Sequence, residues 1–354
     1  MKGPVGGGAA AGRPLARGLA VLATAGLAAC AAPAGEEQAV FRAVSLVGEA
    51  PAEAPGARPP SGIVWDVEAG RAIDPSMLVE RLSAADIAIL GEVHDNALHH
   101  ERQAWLIAAL DPVGVAFEQV PQGSERGIAV WREQGGASGG IGPAIGWSRL
   151  GWPDWALYRP VFEASANAVI TGGGVARREL AEAMSSDAAA AYGAGAAAVG
   201  LDQPLSPPAQ AEVEAEMVAS HCDMLPAEMA GPMVEAQRLR DARFAAATLR
   251  ARDLGIAARE TGDGLNPEEV AAFEGAAAPP RAVLVTGNGH ARRDRGVPLY
   301  LATLAPGLET VSLGQVEVLP GRDTPAEYGA PYDYVWFSSP VIGRPDPCEA
   351  FRNR

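Results

Sequence analysis

The sequence predicts an α/β fold: a mostly parallel sheet flanked by helices. Short apolar runs at Ile87–Leu90, Val113–Phe117 and Ala168–Thr171, and a fourth strand at Arg281–Thr286, alternate with stretches of helical spacing. That is the pattern of parallel strands buried on both faces between crossover helices. Three of the strands end on polar residues: Glu92 and His94 after the first, Glu118 after the second, and His290 after the fourth. Ligands bind beyond the carboxyl ends of strands in such sheets. Five histidines placed at random would not favour strand ends in this way.

The elements follow in order. Lys2, Arg13 and Arg17 form a basic leader, and Gly18–Ala25 is an apolar run too short for a permanent span. It leads to Leu27-Ala28-Ala29-Cys30, which resembles a bacterial lipobox, although an ordinary secretory signal cut near Ala29 would read similarly. Residues 1–29 are therefore expected to be a signal peptide, with lipidated Cys30 anchoring the chain in the bacterial cell envelope. Position 31 is alanine, so no aspartate signals inner-membrane retention, and the expected place is the periplasmic face of the outer membrane. Residues 30–61, rich in Ala, Pro, Gly and Glu, read as a flexible tether.

The domain is expected over residues 62–345. A strand at Gly62–Val67 precedes a helix that Asp74 caps and Pro75 opens. The helix Asn96–Leu110 follows the central strand and stops at Asp111-Pro112. Ser124 to Arg159 reads as loop-rich, with five glycines from Gly135 to Gly142 and four of the seven tryptophans, Trp131, Trp147, Trp152 and Trp155. Those rings form either a satellite core or an aromatic binding surface. Gly172–Gly174 reads as a loop after the third strand, and it lacks both G-x-G-x-x-G and a Walker lysine. Residues 207 to about 254 are helical with a break at Leu225-Pro226, and Leu308–Leu319 and Tyr334–Val341 supply late strands.

Composition narrows the function. The chain has 354 residues, 48% of them apolar, enough for one large core or two unequal lobes. A net charge of −15 without a basic stripe argues against a nucleic-acid partner. Cys222 and Cys348 suit a disulfide in an oxidising compartment, but their distance is not written in the sequence. No C-x-x-C or C-x-x-C-H occurs, which removes a zinc ribbon, a thioredoxin motif and covalent c-type haem.

Gly91 is expected to let the backbone leave the central strand. Glu92 and His94, two apart, then project to one side. Together with Glu118 and His290 they suit an acid–base site, a divalent transition metal held by His94, His290 and Glu92, or a buried polar network. H-E-x-x-H is absent, and the one G-x-S-x-G, Gly136–Gly140, lies in the glycine-rich loop rather than at a nucleophile elbow. A hydrolase here would activate water.

Gly91-x-x-His94 and Gly287-x-x-His290 resemble the paired Gly-x-x-His signature of the superfamily of Tiki proteins, erythromycin esterases and the haem-binding uptake lipoprotein ChaN. The ChaN-like family is the closer resemblance. Four ordered blocks carry it: Leu90–His100, Trp155–Pro160, His221–Pro226 with Ala236–Asp241, and Gly287–Pro298. The resemblance implies a smaller helical lobe, expected around 121–165 and 205–255. It also implies haem binding linked to iron uptake, by dimers in the family's best-known member. On it, Tyr158 is the leading ligand of ferric haem, as a phenolate, with Arg159 beside it for a propionate. His99, His100 and His221 are the candidate assisting histidines. His99 and His100 stand about a hundred degrees apart on a helix and do not easily face one iron. The expected function is a haem-binding, membrane-anchored lipoprotein, a homodimer in this reading. The alternative is a metal- or acid/base-dependent hydrolase at the paired Gly-x-x-His site, so enzymatic activity stays open.

Overall fold

The computed structural model describes residues 59–261, 281–329, 331–346 and 348–352, besides Met1. The expected signal peptide, the lipidation site Cys30 and nearly all of the expected tether lie outside the described residues. The chain divides into units 1–32 and 33–354, and every described element lies in the second.

A hairpin of β1 (Val64–Asp66) and β2 (Arg71–Ile73) comes first. Helix α1 (Pro75–Ala84) starts on Asp74, whose side chain accepts from the Ser76 N–H. Strand β3 (Ile87–Glu92) leads to α2 (Ala97–Leu110), capped by Asn96. Next come β4 (Gly114–Pro121), α3 (Glu125–Glu133), α4 (Ile141–Ile145), α5 (Trp155–Ala164) and β5 (Val169–Gly174). Then follow α6 (Arg177–Ser185), α7 (Ala188–Tyr192), α8 (Pro207–Ser220) and the long α9 (Ala227–Thr261). The described chain closes with β6 (Ala282–Gly287), α10 (Asn288–Ala291), α11 (Val297–Leu304), β7 (Thr310–Glu317), β8 (Tyr334–Ser338) and α12 (Glu349–Arg352).

The strands form one sheet in the order β2-β1-β8-β7-β3-β6-β4-β5. All pairings from β8 to β5 are parallel, and β1 pairs antiparallel with both its neighbours. The carboxyl ends of β3, β4, β5 and β6 therefore lie along one edge. Strand β3 shows why the sheet is apolar on both faces. Ala88 and Leu90 enter the core shared with α2 and α5, whereas Ile87 and Ile89 enter the core under α9. All four are fully buried, as side-chain alternation in a two-sided sheet requires.

Three stretches differ from the sequence reading. Ser124–Arg159 is mostly short helix, and its glycines are platforms for tryptophans. A Cβ on Gly136 would come within 2.3 Å of the Trp131 ring, and one on Gly142 within 2.3 Å of Trp155. The four tryptophans join the core beside α5, as a satellite core would. Gly172–Gly174 is strand rather than loop, because the β4 backbone lies against it: a Cβ on Gly172 would sit 2.2 Å from the Pro121 carbonyl oxygen. Gly91 is also still in β3 with no positive φ. Its constraint is space, since a Cβ there would meet the Asn288 side chain at 2.5 Å and the Leu313 carbonyl at 2.9 Å.

The break between α8 and α9 falls at the expected Leu225-Pro226. Cys222, in that break, is disulfide-bonded to Cys348 with a Cα–Cα distance of 5.6 Å. Among the described residues no helix is long and apolar enough to cross a membrane.

Helix α9 seats on β4 through reciprocal glycines. A Cβ on Gly114 would lie 2.1 Å from the Ala251 carbonyl oxygen, and one on Gly255 lies 2.2 Å from that of Val113. Helix propensity alone favours Gly→Ala by about 1 kcal/mol, but at Gly255 the backbone clash should win. Gly255→Ala is expected to destabilise the fold by about 1–3 kcal/mol in urea denaturation. Gly231→Ala on the same helix, where only the Glu214 side chain approaches, should be neutral or stabilising; equal effects at both positions would refute the packing account.

Candidate functional site

The site grows from the ends of β3, β4 and β6. Glu92 is the last residue of β3 and is 2% exposed. Its Oε1 accepts from the Tyr158 hydroxyl at 2.6 Å and from Gln119 Nε2 at 2.9 Å, and His94 Nδ1 lies 2.8 Å away. His100 Nδ1 lies 3.3 Å from Oε2. Burial opposes the charge on Glu92, but His100 and His94 outweigh it and hold the carboxyl well below the usual range.

His94 emerges two residues past the strand, on the same side as Glu92. Its side chain is 37% exposed, with the ring edge-on to Trp152 at 5.1 Å. Partial burial pulls its pKa down, but the bond to Glu92 and the charges of Glu118, Glu92 and Asp95 carry it up to about 9. His100 is fully buried, donates from Nε2 to the His94 carbonyl at 3.0 Å, and packs on Tyr158 with ring centroids 4.1 Å apart.

A second dyad stands across Glu118. His290, in the short helix after β6, donates from Nδ1 to Asp241 Oδ1 at 2.6 Å. Its Nε2 lies 3.7 Å from Glu118 Oε1. Glu118 Oε2 accepts from the Thr286 hydroxyl at 2.7 Å and the Gly287 N–H at 2.8 Å. Desolvation opposes the charged forms of Glu118 and His290, but their mutual attraction wins, lowering the acid and raising the imidazole. Asp241 is pushed up to about 6 by burial, against the pull of His290. Both imidazoles that face the edge are thus shifted toward their protonated forms. In those forms the arrangement can donate protons and attract negative charge.

The chain matches the family model "Haem-binding uptake, Tiki superfamily, ChaN" over residues 78–301. It belongs to this family. The solved structure titled "Cofacial heme binding to ChaN of Campylobacter jejuni" is similar at 17% identity, covering 77% of this chain and 95% of that one, with a TM-score of 0.55. That likeness shows a shared fold. The type III effector HopBA1 matches at 15% identity over 75% of this chain and 92% of its own, with a TM-score of 0.35. No curated protein matches. The chain is thus a haem-binding ChaN-like protein by family, and all four sequence blocks lie within the matched region.

The geometry sorts the residues expected to touch haem in this ChaN-like chain. Tyr158 is fully buried in the core beside Trp147, and its hydroxyl is committed to Glu92. Burial and the Glu92 charge hold the phenol far above its ordinary pKa, so in this arrangement the hydroxyl keeps its proton and donates it to Glu92. Arg159 turns away: its side chain is 59% exposed and lies 3.6 Å from Glu163, because neighbours on a helix point about a hundred degrees apart. His99 is fully buried, accepting at Nδ1 from the Val93 N–H and bonded through Nε2 to Ser338. Desolvation, with Arg102 nearby, keeps it neutral. His99 and His100 are both interior residues, not the partly exposed pair that a first helical turn suggests.

Of these five, His221 lines the cavity between α8, α9 and α11. It caps the end of α8, half-buried, with Nδ1 2.7 Å from the Met217 carbonyl. The cavity, about 550 Å³, is lined by Met184, Met217, Met233, Leu299 and Arg240 beside His221. Among the described residues no group of three or more His, Cys, Asp and Glu is arranged to hold a metal ion. The expectation of a divalent metal on His94, His290 and Glu92 therefore gains no support. Sequence reasoning missed Gln119 and Asp241 as partners of the two dyads.

His94 gives the site a pH signature. Its folded pKa of about 9 lies above its ordinary 6.5, so the folded protein keeps the proton longer than the unfolded chain. The resulting stability is complete below pH 6.5 and drains as pH rises to 9. Urea denaturation at pH 6 and pH 9.5 should show this loss in the wild type and a clearly smaller one in His94→Gln. An identical loss in both proteins would assign it to other groups.

Proposed function

We propose that this chain binds ferric haem in the methionine-lined cavity between α8, α9 and α11, for haem or iron uptake at the bacterial envelope. The observation that carries the reading is the cavity wall. Thioether and aliphatic side chains supply apolar surface for a porphyrin, worth roughly 25 cal/mol per Å² removed from water. His221 adds an imidazole to the same wall, its Nδ1 held by the Met217 carbonyl. Arg240 reaches the same cavity and forms no ion pair among the described residues, so a propionate can meet it. Haem brings an iron with axial positions open to a protein ligand, and its two carboxylates give the binding a polarity. A homodimer belongs to the same proposal: the Campylobacter relative is titled for cofacial haem binding, and two stacked haems call for two sites brought together. Tyr158 serves here as the anchor of the strand-end network rather than as the iron ligand.

Titration with haemin tests the ligand. His221→Ala should weaken binding about ten-fold or more and shift the Soret band, while Tyr158→Phe should leave the spectrum unchanged and cost about 1–3 kcal/mol of stability, because Glu92 loses a donor. A Soret shift in Tyr158→Phe, with His221→Ala like wild type, would return the iron to the tyrosine. Absence of any saturable Soret change in the wild type would sink haem binding here and favour the hydrolase alternative at the strand ends.

The anchor is proposed from Leu27-Ala28-Ala29-Cys30. Cys30→Ser should move the protein from the membrane to the soluble fraction without altering its melting temperature. A variant that still pellets with membranes would remove lipidation as the anchor.

A further inference from the structure

A second cavity, about 790 Å³, lies over the ends of β4 and β5. Three arginines from three different elements line it: Arg149 from the turn before α5, Arg177 at the start of α6, and Arg240 from α9. None of the three forms an ion pair among the described residues. Nearby arginines are paired: Arg243 with Glu179, Arg250 with Glu125 and Arg292 with Asp294. The carboxylates that border the cavity are engaged elsewhere. Glu179 holds Arg243, and Glu118 accepts from Thr286 and Gly287. In a chain of net charge −15, three uncompensated guanidiniums on one concave surface call for an anion.

The floor asks for something more. Gln119 lines the cavity and is 1% exposed. Its Nε2 donates to Glu92 at 2.9 Å, and its Oε1 has no hydrogen-bond partner. A buried carbonyl oxygen without a donor is rare in native proteins, and a ligand hydroxyl would satisfy it. Trp152 adds an aromatic wall to the same cavity. Residues 174–177 border it where α6 begins, so the positive end of a nine-residue helix supports the arginines.

We propose that this cleft binds a small hydroxylated phosphate ester, a sugar phosphate in its simplest form. A phosphoryl group offers three terminal oxygens to guanidiniums arriving from three elements, where a carboxylate offers two. The hydroxylated part reaches Gln119 and lies along Trp152. The site is separate from the methionine-lined cavity, with which it shares only Leu180 and Arg240. It shares Arg240 with the haem reading, whereas Arg149 and Arg177 belong to this cleft alone.

Calorimetric titration of the purified full chain with glucose 6-phosphate and with glycerol 3-phosphate tests this, with glucose and inorganic phosphate as controls. At least one ester should bind more tightly than inorganic phosphate, and glucose should not bind. Arg149→Gln with Arg177→Gln, both exposed positions, should weaken the ester about ten-fold or more with an unchanged melting temperature. Gln119→Met should bring the ester down to the affinity of inorganic phosphate. Failure of both esters to bind, or binding no tighter than inorganic phosphate, would overturn the proposal. So would an Arg149→Gln, Arg177→Gln protein that loses haemin but keeps the ester, since the arginines would then serve propionates. Haemin binding unaffected by that pair of substitutions, with the ester weakened, supports two sites and leaves the haem reading to its own test.

Discussion

The strand-end site depends on a buried carboxylate that must be paired. Glu92 has almost no water around it, and an unpaired charge there would cost several kcal/mol. Its partners come from four parts of the chain: His94 after β3, His100 on α2, Gln119 on β4 and Tyr158 on α5. Meeting that one requirement fixes how the tryptophan-bearing insertion docks on the sheet, because α5 must turn Tyr158 inward to reach Glu92. It also fixes what faces outward. With Nδ1 on Glu92 and its ring against Trp152, His94 turns its Cε1–Nε2 edge toward Gly287.

The Asp241–His290 dyad repeats the arrangement from the opposite face of the sheet, with the acid supplied by α9. Glu118 stands between the two imidazoles and draws charge onto both. The edge therefore alternates acids with imidazoles drawn toward their protonated forms, and three guanidiniums line the cleft beside it. Arg240 sits one residue before Asp241 on α9 and borders both cavities. Any ligand that takes its charge on one side alters the potential on the other.

Much of this was legible in the sequence. The runs ending at Leu90, Phe117 and Thr286 are buried parallel strands, and the polar residues that follow them do converge at one edge. Burial on both faces leaves a signal in every residue of such a strand. Hairpin strand β2 was not legible, since Arg71-Ala72-Ile73 is three residues long with no fully buried position. The direction of Tyr158 was not legible either. One tyrosine in a helix that contains Trp155, Leu157, Val161 and Phe162 can face a ligand or a core, and only the position of Glu92, 66 residues earlier, decides. Asp241 was hidden in a stretch with Arg238, Arg240 and Arg243 that reads as a solvated helix face. Its burial depends on His290, 49 residues later.

The C-terminal segment contributed almost nothing to the sequence reading, yet it ties the two candidate sites together. Arg344 makes a two-point contact with Asp95, at 2.7 and 2.6 Å, and bonds Glu317 at 2.6 and 2.7 Å. Asp95 follows His94, and Glu317 also accepts from Asn96, the cap of α2. Four residues further on, Cys348 is bonded to Cys222, which follows His221. One short stretch of chain thus holds the turn that presents His94 and the turn that presents His221. A single arginine carries no periodic signal, so pattern reading passes over Arg344, while Cys222 and Cys348 suited a bridge without showing their distance. Their effect is to remove conformational freedom from two loops whose side chains have work to do. The lone pair of cysteines and the last arginine before them belong to the site as much as the strands do, because a polar edge is useful only when its turns keep one geometry.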